Sequence, residues 1–343
     1  MEIYALANDD LGNDDFDVLG IGNAIVDVLA HADDDFLVRH GLKKGMMTLI
    51  DADAADRLYA DMNPAQECSG GSAANTIAGL ASLGGRGAFI GKVRDDQLGD
   101  IFRHDIRALG VDFETPAAVE GLPTARCLVL VTPDAQRTLQ TFLGASVALS
   151  PADIDASRIR RARVTYLEGY LWDPPQAKEA FLTAARIAHN AGRQVALSLS
   201  DPFCVERHRA DFQRLVEQHV DILFANEHEI TALYQVDTFD EALQAARGKC
   251  AVAALTRSDK GSVVLAGDEV HVVDAEPVDN VVDTTGAGDA YAAGFLFART
   301  HGYNLNQAAR IAGIAAAEII SHMGARPENS LADLVRRKLH DPQ

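Results

Sequence analysis

Six short runs rich in Val, Ile, Leu and Ala constrain this 343-residue chain more than any other feature: FDVLGIG (16–22), AFIGKV (88–93), VTYLEG (164–169), QVALSLS (194–200), DILFAN (221–226) and VAALT (252–256). Each has the length of a strand, and stretches of helical periodicity lie between them. Strands joined through helices pair side by side, so the pattern predicts an α/β protein with a central, mostly parallel sheet flanked by helices. Ser72 to Leu83, closed by Gly84-Gly85, Pro175 to Asn190 and Asn304 to His322 read as such helices, with Ser72 as an N-cap.

Two stretches break the rhythm. AIVDVLAHA, GMMTLI, ARCLVLVT and RTLQTFL, within residues 24–50 and 111–145, read as strands without intervening helices and are expected to pair into a small separate sheet, a lid over the core. The expected division is a disordered acidic tail (1–15), an α/β core (16–22, 51–110 and 146–340) and a β-sheet lid (23–50 and 111–145). The first seventeen residues carry six acids and no Lys or Arg, unlike the basic start of a secretory signal.

Composition removes several functional classes. A formal charge of −19 argues against binding a nucleic-acid backbone, which requires clustered cations. No uncharged apolar stretch approaches the ~18 residues of a membrane span. Cys68, Cys127, Cys204 and Cys250 lie far apart without a CxxC pair, so reduced thiols in a cytoplasm are expected.

Three glycine clusters imitate known motifs and fail. Gly20-Ile-Gly22 follows a strand, but Ile25 occupies the third-glycine position of a dinucleotide fingerprint and the next segment is not helical. Around Gly91-Lys92 the upstream glycine is missing, and Val93 replaces the Ser or Thr of a Walker loop. Gly70-Gly71-Ser72-Ala73-Ala74 resembles a nucleophile elbow with Ala74 in place of the last glycine, which leaves a serine hydrolase as a weak alternative.

DTTGAGDAYAAGFLFA (283–298) is different, because a loop of small residues runs straight into an apolar helix. Gly286, Ala287 and Gly288 expose successive backbone N–H groups at a helix N-terminus, an arrangement suited to phosphate. Asp289 then stands where a general base would meet a hydroxyl attacking a phosphoryl group. The plainer alternative is an acid that complements the helix dipole.

These residues, with Gly70-Gly71-Ser72-Ala-Ala-Asn75 and Asn226-Glu-His-Glu229, resemble the ribokinase-like (PfkB-type) sugar and nucleoside kinases over nearly the whole chain after the tail. The resemblance implies a Rossmann-like core with a β-sheet lid, ATP as donor, and Mg²⁺ organised through water by Asn226 and Glu229, although Asn226 alone reads equally as a cap. It implies that Asn23, Asp27, Gly70, Gly71, Ser72 and Asn75 hold the acceptor, and that Thr256, Gly261, Thr285 and His322 lie along the nucleotide. It also implies a monovalent cation such as K⁺ beside Asp283 and Thr285, with the segment from His322 to Arg326 on its other side.

Within the family the chain looks most like adenosine kinases. That branch implies transfer to the 5′-hydroxyl of adenosine, with Leu49, Leu139, Trp172 and Phe203 walling a purine and Arg137 near the transferred phosphoryl. Core packing explains Leu49 and Leu139 equally well, and a solvated surface position explains Arg137. A kinase of ribose, fructose or a keto-deoxy sugar acid would use the same catalytic parts, and a non-catalytic binding protein could keep the fold. Monomer and homodimer both remain open.

Overall fold

The computed structural model describes residues 15–134 and 136–340. The tail expected over residues 1–15 lies outside the described residues except for Asp15. In chain order the strands are β1 (Phe16–Ile21), β2 (Ile25–His31), β3 (Met47–Leu49), β4 (Gln66–Gly70), β5 (Gly87–Ile90), β6 (Asp112–Phe113), β7 (Ala125–Val131), β8 (Arg137–Phe142), β9 (Ala162–Glu168), β10 (Gln194–Ser198), β11 (Ile222–Asn226), β12 (Val252–Thr256), β13 (Ser262–Ala266) and β14 (Glu269–Val273).

Nine of these form one sheet in the order β14-β13-β12-β11-β10-β9-β1-β5-β6. Pairing is parallel from β6 to β12, and the β13–β14 hairpin extends that edge antiparallel. Apolar residues alternate between two buried faces: Val18, Tyr166, Ala196, Ile222 and Ala254 enter one core, and Leu19, Leu167, Val195, Leu223 and Ala253 enter the other. Sheets buried on both sides need such near-continuous apolar strands. The helices Ser72–Ser82, Ala287–Thr300 and Leu305–Ile320 cover the first face, and Pro175–Asn190 and Pro202–His219 the second.

The other five strands form the smaller sheet, in the order β3-β8-β7-β2-β4. Its membership differs from the expected division at two places. Gln66–Gly70, assigned to the core, pairs antiparallel with β2, while Asp112–Phe113, assigned to the lid, pairs with β5 in the large sheet. Asp34–Arg39 is also helical, within a stretch read as strands alone; Asp33 caps it by accepting from the Phe36 amide. Among the described residues no helix is long and apolar enough to cross a membrane.

Candidate active site

Parallel strands end together, and their carboxyl ends are where open α/β sheets form ligand crevices. Asn23 just after β1, Glu168 ending β9, Ser198 ending β10, Asn226 ending β11 and Thr256 ending β12 all line one cleft of about 1580 Å³. The small sheet closes the opposite side with Asp27 on β2, Leu49 on β3 and Leu139 on β8. This volume exceeds the ~300–1,000 Å³ typical of a single small-ligand pocket, so two ligands fit.

The floor is the loop leading into the helix Ala287–Thr300. Gly286 caps that helix with φ +80°, a left-handed conformation that side chains resist, and an added Cβ would press against Ala325 at 2.6 Å. At Gly288 a Cβ would meet open space, so the loop backbone is reachable from the cleft. The Ala287 amide donates to the Thr284 carbonyl at 3.2 Å, which corrects its expected share in anion binding and leaves Gly286 and Gly288.

Asp289, in the first turn, lines the cleft beside them. Its Oδ1 accepts from Ser72 Oγ at 2.6 Å, and its Oδ2 from Asn75 Nδ2 at 3.2 Å. Ser72 is therefore not the expected N-cap. Gly71 holds that position with φ +99°, and the serine hydroxyl orients the acid instead. Among the described residues no histidine lines the cleft, so a Ser–His relay is absent and the hydrolase alternative falls.

On the small-sheet side, Asp27 projects from β2 into space left by Gly70, where a Cβ would collide with its carboxylate. Gly70 therefore clears room for Asp27 and does not itself line the cleft. Glu168, which the motifs did not reveal, ties the site together. Its Oε1 accepts from the Asn23 amide at 2.8 Å and from Asn23 Nδ2 at 2.5 Å, and its Oε2 accepts from the Ala73 amide at 2.7 Å. One carboxylate thus fixes the crossing from β1 to β2 and the start of the Ser72 helix. An acid ending the apolar run VTYLEG was the available signal.

The profile of pfkB family carbohydrate kinases matches residues 46–331. The chain belongs to the pfkB family. A crystal structure of adenosine kinase from Sinorhizobium meliloti is 52% identical, with a TM-score of 0.87 over 94% of this chain and 99% of that one. A probable sugar kinase from Rhizobium etli CFN 42 is 49% identical, also at TM-score 0.87, over 94% and 98%. An ATP-dependent ribose-1-phosphate kinase from Halopiger xanaduensis is 33% identical over 69% of this chain and 75% of its own.

This pfkB kinase thus has the expected phosphotransferase architecture, and several expected contacts need revision. Asn226 and Glu229 line the cleft as a reciprocal capping box: Asn226 Oδ1 accepts from the Glu229 amide at 2.9 Å, while Glu229 accepts from the Asn226 amide at 2.9 Å and from its Nδ2 at 2.7 Å. Thr256, Gly261 and Thr285 line the same cleft, as does Phe203.

Trp172 does not. It is buried against Phe181 and Phe212, because it lies in a 3₁₀ turn facing the second core. His322 turns away too, its ring bonded to Glu318 and to the Met323 carbonyl. Arg137 reaches the cleft wall, but its Nη1 is committed to Asp283 Oδ2 at 2.5 Å.

Burial of so many acids perturbs their ionisation. Desolvation raises Asp289 to about 6 against the hydrogen bonds from Ser72 and Asn75, and raises Asp27 to about 6 against the nearby charges of Arg326 and Arg137. Glu168 and Glu229 are pushed up to about 7, again chiefly by burial. A base must be ionised to accept a proton, so kcat/KM is expected to climb as pH rises through about 6 and then to level. A pH–rate profile that stays flat from about 5 to about 8 would remove Asp289 as the base.

Proposed function

We propose that this pfkB kinase transfers the γ-phosphoryl of ATP to the 5′-hydroxyl of adenosine. The observation that carries the reading is the apolar part of the cleft lining. Leu49 and Phe203 remain 58% and 74% exposed although they are large and apolar, and both line the cleft with Leu139. A flat purine would cover such surfaces, whereas a free sugar would leave them wet. The 52% identical adenosine kinase supports the same choice.

In this reading Asp27 and Asn75 accept from and donate to the ribose diol, with Asn23 held alongside by Glu168. Asp289 takes the proton from the 5′-hydroxyl as the hydroxyl oxygen bonds to the γ-phosphorus and the bond to the leaving ADP oxygen breaks. The Gly286 and Gly288 amides, at the positive end of the helix, stabilise the anionic phosphoryl in flight. Magnesium brought with the nucleotide would neutralise phosphate oxygens. The oxygens of Asn226 and Glu229 suit water-mediated contact with such a hard ion, and among the described residues no cluster of three acids, histidines or cysteines would hold it without the phosphates.

A second reading has its own support. Arg326 lines the cleft with buried Nε and Nη1 atoms that lack partners among the described residues, a feature that would suit an acceptor already carrying phosphate. ATP consumption with adenosine, inosine, ribose, fructose and ribose-1-phosphate separates the two. Adenosine is expected to give the highest kcat/KM. Turnover confined to a sugar or sugar phosphate would overturn the purine reading, and nucleotide binding without turnover of any acceptor would point to a binding protein.

A further inference from the structure

Family resemblance implies a monovalent cation beside Asp283 and Thr285, and the residues present do not fit one. Asp283 Oδ2 accepts from Arg137 Nη1 at 2.5 Å and from the Gly324 amide at 3.0 Å, while Oδ1 accepts from the Thr285 amide at 3.0 Å. The Arg137 and Asp283 side chains are only 8% and 7% exposed. A lone pair remains on Oδ1, but an ion there would share one buried carboxylate with a guanidinium that never loses its charge. Like charges so placed in a low-dielectric site repel strongly.

The three donors to Asp283 come from three places. Arg137 begins β8 of the small sheet, Thr285 belongs to the anion loop, and Gly324 follows the helix Leu305–Ile320. A carboxylate neutralised from these directions draws together the segments that a bound ion would otherwise organise.

We propose that the Arg137 guanidinium takes the place of a monovalent cation beside the anion loop, so that this kinase needs no added potassium. The inference rests on family membership and on this ion pair, and on no choice of acceptor.

The test compares thermal unfolding and turnover in potassium chloride with those in equimolar choline chloride. Wild-type enzyme is expected to show the same Tm in both salts and rates within about twofold, less than a modest binding coupling would produce. Arg137→Gln opens the carboxylate. It is expected to gain roughly 2–4 °C in potassium over choline, the scale of a ligand that binds only the native state, and to recover part of its lost activity. Arg137→Lys keeps the charge and is expected to be as insensitive as the wild type.

A potassium-specific rise in wild-type Tm or rate would overturn the proposal, as would an Arg137→Gln protein that folds and ignores potassium. Should that variant fail to fold, wild-type enzyme titrated with thallium(I) and followed by thallium NMR decides: no saturable bound resonance is expected, and finding one refutes the substitution of ion by arginine. Because Tm needs no acceptor, an error about adenosine would leave this result readable.

Discussion

Asp289→Asn is expected to lower kcat by roughly 10²-fold or more while the protein stays folded. Asparagine keeps an oxygen to accept from the Ser72 hydroxyl. Its new amide would face Asn75 Nδ2, yet Asn75 Oδ1 is buried without a partner, so a flip of the Asn75 amide restores a matched pair. What the variant loses is proton affinity.

Stability should move the other way. The folded-state pKa of Asp289 is raised above its ordinary value to about 6, so its favourable contribution is complete at low pH and disappears as pH rises through about 6. Above that pH the wild type holds an ionised, desolvated carboxylate that the amide avoids. The Tm of the variant is therefore expected to equal or exceed that of the wild type near pH 8, with the difference shrinking near pH 5. Calorimetry and saturating-substrate kinetics read both quantities, and turnover within about threefold of wild type would reject the catalytic assignment.

Asp27→Ala is expected to act on binding of the acceptor and spare that of the nucleotide. Hydrogen bonds to a charged group are worth about 1.5–3 kcal/mol, or about 10- to 150-fold in kcat/KM for the acceptor. The KM for ATP should hardly change, because Asp27 lies on the small sheet and the anion loop lies on the core. The position is also well packed. Gly70 leaves room for the carboxylate, and removing it empties that space and takes away one of the acids near the buried Arg326, whose Nη2 keeps its bonds to the Ser69 carbonyl at 2.8 Å and hydroxyl at 3.0 Å. An acceptor KM unchanged by the substitution would show that the diol is gripped elsewhere.

Much of this architecture was readable before any coordinates, for identifiable reasons. Buried parallel strands must be apolar on both faces, so the runs at 164–169 and 252–256 stand out from their surroundings. The loop Gly286 to Gly288 stands out because small residues running into a helix start are unusual, and the structure puts it in the cleft. Gln66–Gly70 was missed because QECSG shows neither alternation nor an apolar run. It is an edge strand held by backbone pairing to β2, with only Ser69 and Gly70 buried.

Trp172 and His322 were misjudged for a related reason. Near a cleft, neighbouring positions in a tight turn point to opposite sides, and here Tyr170 lines the cleft while Trp172 enters the core. Glu168 and Arg326 went unrecognised in their roles because an acid ending a strand and a basic residue in a loop look ordinary until long-range partners meet them.

The half-bare side chains of Leu49 and Phe203 carry a consequence for how such a protein changes over time. They bear none of the hydrogen bonds that position Asp289 or Glu168, and surface replacements away from packed features usually shift stability by only about 0.5 kcal/mol. New acceptors can therefore be tried by repainting the roof while the machinery beneath keeps running, so descendants of one ancestor are free to diverge in diet without relearning their chemistry.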